Sequence, residues 1–98
     1  MKEEGRRKKE EAVVHRLPIE AEIDLHTFQP REMRSLVDEY IVAASEAGLR
    51  EVRLVHGRGK GIQRGIVQAA LEAHELVVEF WDDPRSSLGA TIAVIRRR

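Results

Sequence analysis

The chain has 98 residues, of which 42% are hydrophobic and 35% charged, with equal numbers of basic and acidic side chains (17 each). This length and composition predict one folded domain, and the absence of cysteine excludes disulfide bonds, thiolate catalysis and a cysteine-based zinc site. No apolar run approaches the roughly 18 residues that a membrane span requires, and the N-terminus is too charged for a signal peptide, so we expect a cytoplasmic protein with no membrane partner.

Charge is unevenly distributed along the chain. Residues 1–16 carry six basic and four acidic side chains, and residues 96–98 are all arginine, whereas residues 17–95 carry eight basic and thirteen acidic side chains. Overall charge therefore does not indicate a nucleic-acid partner, because two basic ends surround an acidic body. We predict a charged, disordered tail over 1–16, a folded domain over 17–96 and a basic C-terminal end at 97–98.

Apolar periodicity alternates between the strand and helix periods along the folded part. It predicts six elements: strands over 19–26, 51–56, 76–81 and 90–95, and helices over 30–48 and 61–74. Pro30 suits a first helical turn, and Gly48 is placed to end that helix. The order β-α-β-α-β-β predicts an α/β fold, a two-layer sandwich with a mixed four-stranded sheet and both helices on one face. We expect the last strand to run antiparallel to the third.

Two histidines end the first two predicted strands. His26 ends the first and His56 the second, and parallel strands would bring both imidazoles to one edge of the sheet, where ligands of open α/β sheets bind. Asp24 projects from the same strand face as His26, and a neighbouring carboxylate can orient a histidine for general acid or base catalysis. The pattern predicts a catalytic site formed by Asp24, His26 and His56. The alternative is a solvated Asp24 on an exposed face.

The segment "HGRGKG" (56–61) places a glycine at every second position immediately before the second helix. Glycines allow positive φ and close approach of a ligand, and the helix N-terminus adds positive potential. Residues 52–71 contain four basic and no acidic side chains, so the expected ligand is a phosphate. The predicted phosphate-binding residues are Gly57, Arg58, Gly59, Lys60, Gly61 and Arg64. The spacing matches neither the dinucleotide-binding nor the P-loop motif, and a glycine turn with solvated charges is the alternative.

The remaining candidates are one arginine in a loop and a metal ion. Arg85, in the loop "DDPRSSLG", is predicted either to reach a backbone phosphate or to be a free surface charge. No histidines or carboxylates show metal-ligand spacing, so the sequence predicts no dedicated metal site and requires no cofactor. A Mg²⁺ or Mn²⁺ ion held jointly by Asp24 and the substrate phosphate stays open as an alternative.

Three segments in order, "IDLH" (23–26), "HGRGKG" (56–61) and "GATIAVI" (89–95), resemble the small MutS-related (Smr) domain family. The resemblance runs from about Pro18 to Ile95. It implies a β-α-β-α-β-β sandwich similar to the C-terminal domain of translation initiation factor three. Smr domains occur alone, as expected for this chain, or within larger proteins. Many are nicking endonucleases on DNA or are ribonucleases, including ones that act on messenger RNA at stalled ribosomes.

The resemblance therefore implies a nucleic-acid-binding domain with endonuclease activity on phosphodiester bonds, and DNA or RNA and also the ribosome as partners. We expect the chain to be a monomer. Asp24 and His26 match the motif associated with cleavage, and His56 matches the motif associated with nucleic-acid contact and catalysis. Thr91 matches the closing motif as a nucleic-acid contact. Two features depart from the family pattern: Thr27 and Phe28 follow His26 where many members have glycine, and "RSSL" precedes Gly89 where a glycine-rich approach is common.

Two further hypotheses belong to other functional classes. One is a non-catalytic module that binds DNA, RNA or the ribosome. The other is a protein-interaction domain whose basic arm recruits a partner, which predicts no salt-dependent affinity for nucleic acid. The sequence alone does not distinguish DNA from RNA, because both present the same phosphate.

Overall fold

The computed structural model describes residues 20–59 and 61–98. The tail predicted over 1–16, the predicted start of the domain at 17–19 and the phosphate contact predicted for Lys60 lie outside the described residues. The elements are β1 (Glu22–Asp24), α1 (Pro30–Glu46), β2 (Glu51–Val55), α2 (Ile62–Ala73), β3 (Val77–Asp82) and β4 (Ala90–Ile95). The α/β fold predicted from the sequence is confirmed, although β1 is much shorter than the predicted strand.

The sheet has the order β1-β2-β4-β3. β1 runs parallel to β2, and β4 runs antiparallel to both of its neighbours, β2 and β3, as predicted for the last two strands. Asp24 lies opposite Val55, and Val55 lies opposite Ala90. The ends of β1 and β2 and the start of β4 therefore share one edge, which we call the site edge.

The core lies between the helices and one face of the sheet. Both helices pack against each other and so cover the same face. The largest fully buried apolar side chains come from both layers: Leu25, Met33, Val37, Ile41, Val52, Leu54, Val67, Leu71 and Ile95. At about 25 cal/mol per Å² of apolar surface, this burial supplies the main force that holds the two layers together.

The ends of α1 follow from local chemistry. Pro30 occupies the first helical position, and a carboxylate oxygen of Glu32 accepts a hydrogen bond from the Gln29 backbone N–H (3.0 Å). Gly48 has a φ of 87° and donates its N–H to the Ser45 carbonyl (3.0 Å), which closes the helix as the sequence predicts. Among the described residues, neither helix is long and apolar enough to cross a membrane.

Candidate functional site

Asp24 and His26 form a hydrogen-bonded pair at the site edge. His26 Nδ1 lies 2.5 Å from Asp24 Oδ1, and the His26 backbone N–H donates to the same oxygen (3.0 Å). Because an ionised carboxylate only accepts hydrogen bonds, Nδ1 carries the proton. The hydrogen bonds from His26 also lower the pKa of Asp24 and keep it ionised. Nε2 is thereby left for a ligand: in the part of the chain that the structure describes, no atom hydrogen-bonds it, and 54% of the side chain is exposed.

Next to this pair is the glycine turn, which we define as Gly57, Arg58, Gly59 and Gly61. Two of its residues need glycine, since Gly57 has a φ of 88° and Gly61 a φ of 86°. The turn is joined to β4 by the Gly89 carbonyl, which accepts hydrogen bonds from the backbone N–H groups of His56 (3.0 Å) and Gly57 (2.9 Å). This contact brings the second and third motifs of the sequence together.

Gly89 has no room for a side chain. A Cβ at this position would lie 3.0 Å from the Ser86 carbonyl oxygen and 3.1 Å from Arg58 Cγ. The loop before it takes left-handed backbone conformations without glycine, at Ser87 (φ 52°) and Leu88 (φ 70°). Where a glycine-rich loop is common in the family that the sequence resembles, this loop has Ser87 and Leu88, whose left-handed conformations carry backbone strain.

The turn also lies against His26. A Cβ on Gly57 would stand 3.3 Å from His26 Cβ. The side-chain amide of Gln63 donates to the Phe28 carbonyl (3.0 Å), which ties the first turn of α2 to the loop after β1. The glycine turn and the first turns of the two helices line a pocket of about 220 Å³, which we call the turn pocket. Its lining residues are Pro30, Gly57, Gly59, Gly61, Ile62 and Gln63.

Replacing Gly57 with alanine is expected to destabilise the fold by about 1–2 kcal/mol, because an L-residue in the left-handed region is strained. The added Cβ would also press on His26 at 3.3 Å. Chemical denaturation of the wild type and the variant measures the effect. Gly65→Ala is the matched control: Gly65 lies inside α2 with nothing within 4 Å of its Cβ position, so alanine should stabilise it by up to about 1 kcal/mol. Equal stability of Gly57→Ala and the wild type would contradict the strained turn.

His56 occupies a different environment from His26. Its ring is fully buried, with Nδ1 3.1 Å from the Gly57 carbonyl oxygen and Nε2 2.9 Å from Thr91 Oγ1. A carbonyl only accepts, so Nδ1 donates to it; Nε2 then accepts the Thr91 hydroxyl proton, and the Thr91 oxygen accepts from the Gln68 amide (2.9 Å). Burial lowers the pKa of His56, in agreement with this neutral tautomer.

Two predicted roles do not fit this network. A catalytic role for His56 would require a ring nitrogen that reaches a substrate, yet both nitrogens are occupied within the protein. The predicted nucleic-acid contact of Thr91 would require an exposed hydroxyl, yet this side chain is fully buried. Both residues instead hold the glycine turn against β4.

The predicted arginines differ in how far their charge is available. Arg64 makes a bidentate ion pair with Asp82, with N–O distances of 2.8 and 2.7 Å, and this pair lowers the pKa of Asp82. Arg85 pairs with Asp83 at 3.1 Å while most of its side chain stays exposed. Arg58 is exposed and, among the described residues, has no carboxylate partner. Arg58 is therefore the described turn residue whose charge is available to a phosphate.

Sequence reasoning missed Asp82, Gln63 and Gln68. The sequence prediction assigned Asp82 to a loop, but it is the last residue of β3 and binds both Arg64 and Gln68. The sequence did contain a signal for Asp82: residues 52–71 have basic but no acidic side chains, so a carboxylate from another segment is expected to pair with them. The two glutamines have no sequence signal, since their role depends on contacts between distant segments.

A resident metal ion does not fit the described residues. Within 20–59 and 61–98, no three histidine, aspartate or glutamate side chains come together as a metal-binding group. Asp24 supplies one carboxylate at the site edge, and its Oδ1 already accepts two hydrogen bonds from His26.

Comparison with known proteins relates the site to one family. The family model of the Smr domain matches residues 23–97. The chain is 36% identical over 80 residues to the endonuclease MutS2 of Clostridium tetani, and 37% identical over 97 residues to that of Clostridium perfringens (strain 13 / Type A). These alignments cover 81% and 97% of the chain but only 10% and 12% of the relatives, so the chain spans about a tenth of their length.

Solved structures show the same relationship. The Smr domain of Thermus thermophilus MutS2 superposes with a TM-score of 0.72 at 32% identity, covering 76% of this chain and 96% of that one. YdaL, a stand-alone small MutS-related protein from Escherichia coli, superposes with a TM-score of 0.72 at 27% identity, covering 79% of this chain and 65% of that one. The motifs, the sheet order and these matches agree: the chain belongs to the Smr domain family.

Proposed function

We propose that this domain binds nucleic acid at the site edge and cleaves a phosphodiester bond there, with His26 as the acid–base group. One observation carries the proposal: an exposed histidine, held in a single tautomer by Asp24, stands against a glycine turn that offers the cation of Arg58. The names of the MutS2 relatives, which are endonucleases, support the same reaction class.

The geometry suits RNA cleavage by a simple route. His26 Nε2 accepts the proton of the 2′-OH, the 2′-oxygen forms a bond to phosphorus, and the bond from phosphorus to the 5′-oxygen breaks. The products are a 2′,3′-cyclic phosphate and a 5′-OH, with the proton on the leaving oxygen supplied by His26 or water. On DNA, which lacks the 2′-OH, His26 would activate a water molecule instead. Arg58 and the backbone N–H groups of the turn would stabilise the phosphate charge.

A cleavage assay tests the proposal. Labelled single-stranded RNA and supercoiled plasmid are incubated with the wild-type chain, with and without EDTA, and His26→Ala purified in the same way controls for contaminating nuclease. Cleavage that survives EDTA and is lost in the variant supports the proposal and identifies the substrate. Cleavage that EDTA abolishes would support the ion shared by Asp24 and the phosphate. Equal cleavage by the variant would refute the role of His26.

A binding module without chemistry is the second candidate, and one observation favours it. Because His56 is buried, His26 is the single accessible histidine among the described residues of the site edge, and no second imidazole is placed to protonate the leaving oxygen. This candidate predicts salt-dependent binding of DNA, RNA or ribosomes with no cleavage by the wild type.

Arg58→Ala is expected to weaken nucleic-acid binding about tenfold and to reduce the slope of log affinity against log salt by about one, because one phosphate contact is lost. Arg50→Ala is the matched control. Arg50 is also exposed, but it precedes β2 at the opposite edge, where its carbonyl accepts the Ile95 N–H (2.8 Å). Fluorescence anisotropy over a salt series measures both variants. Identical slopes for the two would argue against phosphate binding at the turn.

A further inference from the structure

The turn pocket is lined by Gly57, Gly59 and Gly61 of the glycine turn and, in addition, by Pro30, Ile62 and Gln63, to which the proposed function gives no role. It is an open cleft of about 220 Å³, which is smaller than the roughly 300 Å³ at which pockets for drug-sized ligands begin. A single flat ring fits a cleft of this volume. Two of its lining residues, Gly57 and Gly59, flank Arg58 in the chain, so an occupant of the pocket and a phosphate held at the turn can belong to one molecule.

Apolar side chains surround this pocket without serving the core. Ile62, in the first turn of α2, lines the pocket and is 60% exposed. Pro30, at the start of α1, is the second apolar side chain of the lining and is also exposed. Single exposed apolar residues need no explanation, but two that line one small pocket, next to a turn that carries an exposed arginine, match the two chemical parts of a nucleotide, an apolar base and an anionic phosphate.

Gln63 gives the pocket a polar group of defined orientation. Its Nε2 donates to the Phe28 carbonyl (3.0 Å), which fixes the amide. No atom in the part of the chain described by the structure donates to its Oε1. This oxygen is therefore an acceptor for the N–H group of a base that enters the pocket.

We propose that the turn pocket receives one unpaired nucleobase adjacent to the phosphate held at the glycine turn, so that the domain prefers single-stranded or locally opened nucleic acid to intact duplex. The inference rests on the proposed nucleic-acid binding. It follows because a base inside a duplex has its faces covered by stacking and its edge by pairing, and so has to leave the helix to enter a pocket.

Equilibrium binding of the full chain to three probes tests this inference: a single-stranded oligonucleotide, the same sequence as a duplex, and a strand of equal length whose sugars lack bases. We expect the base-bearing single strand to bind about tenfold more tightly than the abasic strand, and more tightly than the duplex. The phosphates of the two single strands are the same, so only the bases differ.

Two variants test whether the preference for base-bearing strands arises at the turn pocket. Ile62→Ala should weaken binding of the base-bearing strand about threefold or more and leave the abasic strand unchanged. Val78→Ala is the matched control, because Val78 is equally exposed (61%) but is the second residue of β3, at the opposite edge. Salt-dependent binding that is equal for base-bearing and abasic strands, or equal behaviour of the two variants, would overturn the pocket proposal alone. Absence of salt-dependent binding to any probe would overturn the proposed function and the pocket with it.

Discussion

Replacing His26 with alanine is expected to reduce phosphodiester cleavage by about 10²- to 10⁴-fold, the usual contribution of a general acid–base group. The loss arises because Nε2 is the atom left free to exchange a proton, Nδ1 being held by Asp24. Binding and stability should change little, because the side chain is largely exposed. Single-turnover cleavage, anisotropy and a denaturation curve on the same preparation measure the three quantities.

Asp24→Asn is the companion variant. An asparagine oxygen can still accept from Nδ1, so the tautomer is kept, but the negative charge that stabilises a protonated imidazole is lost; we expect a smaller loss of cleavage than in His26→Ala. His74→Ala is the histidine control, since His74 caps the far end of α2, where its Nδ1 accepts the Leu76 N–H. A His74 variant that loses cleavage as His26→Ala does would contradict the assignment of the chemistry to the site edge.

Replacing His56 with alanine is expected to lower the free energy of unfolding by about 2–5 kcal/mol, because a buried ring is removed and its hydrogen-bond partners are left unsatisfied. Those partners are the Gly57 carbonyl and the Thr91 hydroxyl. Chemical denaturation near neutral pH measures the loss. A stability within about 0.5 kcal/mol of the wild type would contradict the structural role of His56.

The same buried ring predicts how stability depends on pH. Burial lowers the pKa of His56 below its ordinary value of 6.5. Between the two pKa values, His56 is protonated in the unfolded chain and neutral in the folded chain. Stability should therefore fall as pH drops below about 6.5 and continue to fall until the lowered folded-state pKa is reached. Asp24 and Asp82 have lowered pKa values, so their contributions are present above their ordinary 3.8 and are lost only at more acidic pH.

His56→Gln should remove this component of the pH dependence, and His26→Ala should keep it. Denaturation curves from about pH 7.5 to about pH 5 compare the three proteins. A wild-type stability that stays flat over this range, or a His56→Gln variant that follows the wild-type curve, would show that His56 is not buried in the neutral form.

The secondary structure was largely predictable because apolar periodicity is local. The helices over Pro30–Glu46 and Ile62–Ala73 and the strand over Ala90–Ile95 lie where the sequence predicts them. The first strand was predicted too long, since alternation continues to His26 while pairing with β2 ends at Asp24 and the chain turns, with the Phe28 N–H bonded to the Leu25 carbonyl (3.0 Å). Alternation records which face is buried, and it does not record where a partner strand ends.

The sequence by itself predicted that Asp24 and His26 lie on one side of the chain, because the alternation of apolar and polar residues continues to His26. The pairing itself forms in the turn after β1, where the His26 backbone N–H and Nδ1 both reach Asp24 Oδ1. Only the tertiary structure placed the two histidines in different environments. His26 leaves an edge strand and stays exposed, whereas His56 ends a strand flanked by β1 and β4 and is covered by Thr91. The same holds for Arg64, whose charge is taken up by Asp82, 18 residues away. Burial and ion pairing depend on which segments the fold brings together, and the local pattern of a sequence does not carry that information.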